Sequence, residues 1–169
     1  MLQHLEALVQ YNTWANQKLV AVIVEAGEEN SEIIQKSSFP TIRKTLLHIF
    51  DAQEIWMNRL NGISPLEWPD LSVDHTTEQI GKRLLDSSKG FESFIASLTE
   101  PDTAKIINYQ NIKGVAFSNS IFEIVTHIMN HGTYHRGQLV TMLRGAGCDQ
   151  IPATDLIAYY REVHSTTFS

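Results

Sequence analysis

Residues 120–144, SIFEIVTHIMNHGTYHRGQLVTMLR, read as one long amphipathic helix, and the rest of the fold follows from that reading. Ile121, Val125, Ile128, Leu139 and Met142 recur at helical spacing, the signature of one buried face. Ser120 followed three residues later by Glu123 is a capping-box pattern that starts the helix, and the glycine-rich GAGC after Arg144 stops it. His127, His131 and His135 stand four apart on it. Each step of four drifts only about 40° around the axis, so the three lie near one side. His131 and His135 occupy places where the apolar stripe should continue, so both are expected to point inward.

The flanking sequence supplies partners for this helix. Leu5, Leu8, Val9, Ala15, Leu19, Val22 and Ile23 predict a first helix from about Leu2 to Ala26, ended by Gly27 before a polar GEENSE loop. Thr41 is a candidate N-cap for a second helix running to Leu60, with Asn61 and Gly62 ending it and Pro65 and Pro69 keeping the next stretch irregular. Thr76 with Gln79 forms another capping box, opening a third helix to about Leu98 that Pro101 closes. The period then changes. KIINYQNIKGVAF, residues 105–117, is rich in β-branched and aromatic residues around QNIKG and reads as a short β-hairpin. The tail, PATDLIAYYRE, reads as a docked extended segment or one helical turn. The expected architecture is all-α: a four-helix bundle in a single domain over residues 1–169, with a small hairpin before the last helix. The long stretch between the second and fourth helices leaves room for a crossover connection.

Composition excludes several function classes. The 169 residues are 43% hydrophobic, enough for one proper core, and 13 − 19 charged side chains give a net charge of −6. No basic stripe is available to track phosphates, so nucleic acid is not an expected partner. The single cysteine, Cys148, cannot form an internal disulfide and is expected to be buried or incidental. No apolar run is long enough to span a bilayer, and MLQHLEALVQYN lacks the pattern of a signal peptide, so no membrane partner and a cytoplasmic location are expected. Trp14, Trp56 and Trp68 exceed what a four-helix core obviously needs, which suggests a homodimer.

The histidines carry the chemistry. Two imidazoles at i and i+4 can reach one metal ion. His48 sits beside Ile49 on the second helix, bordering its buried stripe, and adds a third inward imidazole. Three unpaired polar groups in one small core are costly, and a shared cation removes that cost. His127 lies about 80° from His135 around the helix and is expected outside the coordination sphere; His4, His75 and His164 read as surface residues. Asp51, Glu54, Asn130, Tyr134, Gln138 or backbone carbonyls are the candidates to accept hydrogen bonds from the outer ring nitrogens. The residue after His131 is Gly132, so the HExxH protease pattern is absent, as are a phosphate loop, a G-x-S-x-G elbow and the di-iron ExxH pairs. No residue is assigned a catalytic role. A three-histidine site leaves coordination positions open, as catalytic zinc sites do. Imidazole suits zinc, nickel, copper and iron alike.

NHGTYHRGQL (130–139), YNTWANQKL (11–19), TLLHIFDAQEIW (45–56) and the closing DLIAYYRE together resemble the DinB (YfiT-like) family of metal-dependent enzymes, from about Leu5 to Arg161. The resemblance implies an up-down-down-up bundle carrying one divalent ion on His48, His131 and His135, with zinc or nickel ahead of iron or manganese. Relatives include thiol-dependent transferases and an isomerase that use low-molecular-weight thiols such as bacillithiol and mycothiol. The implied function is a metal-dependent hydrolase or thiol S-transferase acting on a small molecule. The alternative is a non-catalytic binding or stress-response module that the metal only braces.

Overall fold

The structure, a computed structural model, describes residues 1–68 and 75–167. The expectations for Pro69 and for the His164 side chain lie outside the described residues. The elements are α1 (Leu2–Ser31), α2 (Ile42–Leu60), α3 (Thr77–Ala96), β1 (Ile106–Gln110), β2 (Ala116–Ser120), α4 (Ile121–Gly145) and α5 (Leu156–Thr167), with a 3-10 turn at Glu100–Ala104. Thr41 caps α2 by accepting from the Lys44 amide, and both expected capping boxes, Thr76–Gln79 and Ser120–Glu123, are formed. The hairpin pairs Ile106 with Ser120 through Gln110 with Ala116, and Asn111 closes its turn by accepting from the Lys113 and Val115 amides.

Three boundaries differ from expectation. Gly27 adopts φ +84, a left-handed conformation, but kinks α1 where it was expected to end it; GEENSE therefore holds a further helical turn rather than a plain loop. The third helix stops at Ala96, and Pro101 sits in the following 3-10 turn. The tail is a full helix of 12 residues, α5, neither extended nor a single turn.

The order of elements in the core settles the topology. One apolar cluster joins Leu19 and Ile23 late in α1, Leu46 and Ile49 early in α2, Ile80 and Leu84 early in α3, and Leu139 and Leu143 late in α4. The second joins Leu5 and Val9, Ala52 and Leu60, Phe91 and Ile95, and Ile121 and Val125, the opposite ends of the same helices. The bundle is therefore up-down-down-up. α2 and α3 run parallel, and α1 and α2 each pack between α3 and α4. Among the described residues no helix is long and apolar enough to cross a membrane.

Between the two apolar clusters lies a polar layer at mid-height. Asn12 and Asn16 of α1 and Gln53 of α2 all hydrogen-bond Ser88 of α3, while Arg136 of α4 donates to the side-chain oxygens of Asn12 (2.7 Å) and Asn16 (3.0 Å). Gly132 makes this possible: a Cβ there would stand 3.0 Å from Arg136 Nη1 and 3.1 Å from Asn12 Oδ1. Trp14 packs edge-on to Tyr159 of α5, and Trp56 packs against Tyr109 and Arg59. Two of the three tryptophans are thus partly covered by their own chain and do not argue for a second subunit; Trp68 is 47% exposed.

Candidate metal centre

The seam between α2 and α4 places the histidines. α2 packs beside α4, so His48, on the flank of the stripe that buries Ile49 and Ala52, faces His131 and His135 across the seam. His131 Nε2 lies 3.1 Å from His48 Nε2 and 3.1 Å from His135 Nε2. Two nitrogens each about 2.1 Å from one zinc-like ion stand about 3.0–3.4 Å apart for angles between square and tetrahedral. The observed spacing falls within that interval. These three form the one such cluster of His, Cys, Asp and Glu donors among the described residues.

Hydrogen-bond chemistry shows why a cation fits. His135 is 5% exposed, and its Nδ1 lies 2.7 Å from Gln138 Oε1, while Gln138 Nε2 donates to Ser38. Nδ1 of His135 is therefore the protonated nitrogen, and its Nε2 presents a lone pair to the cluster. Only one of two facing nitrogens can donate at each contact, so protons alone leave lone pairs opposed. Extra protonation is disfavoured as well. Burial, aided by repulsion from neighbouring imidazoles, lowers the His48 pKa to about 4 and that of His131 to about 3. His135 is also lowered by burial, partly opposed by its bond to Gln138. At neutral pH the cluster is three neutral imidazoles, the protonation state a divalent ion requires.

The surroundings sort the other expected residues. Of the acceptor candidates, Gln138 takes the role, and Tyr134 sets its ring edge-on to His135 at 4.9 Å. Asn130 is exposed on the other side of α4, and Glu54 instead accepts from Ser87. Asp51 is 9% exposed, with Oδ1 lacking a partner among the described residues; burial, then the nearby Glu54, raises its pKa to about 7. Neither acid bonds a histidine among the described residues. His131 Nδ1 is likewise buried without a described partner. His127 stands apart, exposed, 5.2 Å from the Trp56 ring and 6.0 Å from His131, at a cavity of about 300 Å³ shared with Tyr109. His4 is exposed as expected, whereas His75 is half-buried, with a buried Nδ1.

Phe39 was missed from the sequence. It stacks on His48 at 4.2 Å between centroids and 27° between planes, shielding one face of that ring. It lies in the irregular segment before α2, where no periodicity marks an inward residue. Arg136 was missed too, although its place beside His135 on the buried side of α4 was readable as an inward charge.

The sequence profile of the DinB family matches residues 1–164. The chain is 28% identical over 150 residues to "Protein DinB" of Bacillus subtilis (strain 168), covering 86% of this chain and 87% of that protein. Its fold matches the crystal structure of a DinB-like protein from Bacillus cereus with a TM-score of 0.66 at 21% identity, covering 85% of this chain and 91% of the other.

Proposed function

The chain belongs to the DinB family, and from that premise we propose that it is a metal-dependent enzyme acting on a small molecule at His48, His131 and His135. One observation carries the reading: three Nε2 atoms converge, and no fourth described His, Cys, Asp or Glu joins them. Coordination left free by protein donors distinguishes catalytic from structural zinc sites. An imidazole-only donor set fits zinc or nickel, with iron or manganese as further candidates. When bound, such an ion acts as a Lewis acid and lowers the pKa of a water or thiol that binds it. That chemistry serves either hydrolysis or thiol S-transfer, and a low-molecular-weight thiol is the proposed co-substrate for the second.

The protein's own groups prepare the site. Gln138 holds His135 in one tautomer and one orientation, Phe39 covers His48, and burial keeps all three rings neutral. The half-buried faces of His48 and His131 leave the cluster open to a substrate arriving beside Trp68, whose ring centroid is 5.9 Å from that of His48. His127 and Trp56 line the adjoining cavity and would contact a substrate's outer portion.

Metal analysis of the purified protein, followed by turnover with thiol–electrophile pairs and simple esters, tests this. We expect about one divalent ion per chain and turnover in one of the two assays. His135→Ala should lose both, and His127→Ala should keep its metal. Metal retained by His135→Ala and lost by His127→Ala would overturn the ligand set. A metal-loaded parent inactive in both assays would favour an ion that only braces the bundle.

A further inference from the structure

The face of α4 turned away from the histidines carries a second set of unmet chemistry. At about 100° per residue, Thr126, Met129, Thr133 and Arg136 point roughly half a turn from His131 and His135. They line a cleft of about 540 Å³ whose other walls are Leu8 and Tyr11 of α1 and the start of α5 at Leu156. Arg136 is 2% exposed. Its guanidinium donates to Asn12, Asn16 and Thr133 and lies over the Tyr11 ring at 5.3 Å, yet no carboxylate of the described residues pairs with it and its Nε has no described partner. Buried charges are ordinarily paired, and neutral dipoles offset only part of the cost of leaving one unpaired. Thr126 Oγ1, in the same cleft, is also buried without a described partner. The N-terminal end of α5 adds amides that no intrahelical carbonyl can satisfy and a partial positive charge.

We propose that this cleft binds a small organic anion, a carboxylate on an apolar body. The carboxylate is the counter-ion Arg136 lacks, the Thr126 hydroxyl is a donor to it, and Leu8, Met129 and Leu156 receive the apolar part. Asp155 is the one acidic side chain among the described lining residues; it is exposed and therefore hydrated, and it sets an upper limit on affinity. The site is separate from the metal centre, across the thickness of α4.

Phenylacetate and its neutral isostere phenylacetamide, titrated into the full chain by calorimetry with amide NMR shifts, provide the test. Phenylacetate should bind saturably and at least about tenfold more tightly than the amide, the discrimination expected of a charge-assisted contact. Shifts should centre on Thr126, Thr133 and Leu156. Thr126→Val should weaken phenylacetate several-fold, Asp155→Asn should tighten it, and Arg136→Met, if circular dichroism shows it folded, should abolish the preference for the acid. His135→Ala should bind as the parent does. Equal affinity for acid and amide, no saturable binding below about 10 mM, or unchanged binding by Thr126→Val would overturn the proposal. So would a loss in His135→Ala, which would assign the carboxylate to the histidines.

Discussion

Asp51 and the histidine cluster titrate in opposite senses, and the signs can be worked out separately. Burial holds the folded-state pKa of Asp51 near 7, above its ordinary 3.8, so folding favours the protonated acid. Its contribution is fully present below the unfolded value and is lost as pH rises through 7. Asp51→Asn, which keeps the shape of the neutral acid, should gain about 1–3 kcal/mol at pH 8 and almost nothing at pH 4. Urea denaturation at the two pH values measures this; an equal effect at both would show that the carboxyl is not held neutral. His48 and His131 are depressed, to about 4 and about 3. In protein stripped with a chelator they contribute nothing above their unfolded pKa of about 6.5. Below it the unfolded chain takes up protons first, so stability falls with acidification until the folded pKa values are reached. His131→Asn should flatten that acid limb. The histidines are readable as inward from the sequence, whereas Asp51 is readable only as a candidate acceptor; the displaced pKa values are not readable, because desolvation is a property of the neighbours a side chain acquires.

Helix α4 offers two glycines five positions apart that should behave oppositely. Gly132 has Arg136 Nη1 and Asn12 Oδ1 where a methyl would sit, whereas nothing lies within 4 Å of a Cβ at Gly137. Gly137→Ala should stabilise by about 0.5–1 kcal/mol through helix propensity alone. Gly132→Ala gains the same propensity but crowds the polar layer, at a cost of about 1–3 kcal/mol, so it should be net destabilising. Thermal unfolding of the two variants beside the parent checks this, and two equal stabilisations would mean the Arg136 network yields at no cost. The pair also marks what could be read in an element. Capping boxes, stripe residues and the hairpin turn are local and were legible. α5 was not, because DLIAYYRE is short and its burial comes from Tyr11 and Trp14, more than 140 residues away, which meet Tyr159 only after α1 has folded. Gly27 likewise signalled a break without showing that the helix resumes beyond it.

At the scale of the whole molecule, the proposed ion ties α2 to α4 and should stabilise the bundle by mass action. Zinc added to stripped protein at about 100 times its Kd should add about 2.7 kcal/mol, raising Tm by roughly 5–10 °C for a chain of this length. His48→Ala should abolish the shift, since a ligand from each helix is needed to link them; an undiminished shift would place the ion elsewhere. Amphipathic periodicity by itself determined four helices, their inward faces and three histidines aimed at the core, and β-branched and aromatic composition marked the hairpin. The cost of three inward imidazoles suggested their grouping around one cation, and the resemblance to the DinB family implied the same three ligands. Only the tertiary structure decided that His48 meets His131 at 3.1 Å, that Gln138 supplies the acceptor while Asp51 and Glu54 do not, and that Arg136 is buried beside an open cleft. The physical reason is that a helix's hydrophobic phase depends on its own residues, whereas a contact between side chains 83 apart depends on which helices become neighbours. In this bundle α2 lies against both α3 and α4, and it is that pairing, a property of the packed helices together, that brings His48 to His131.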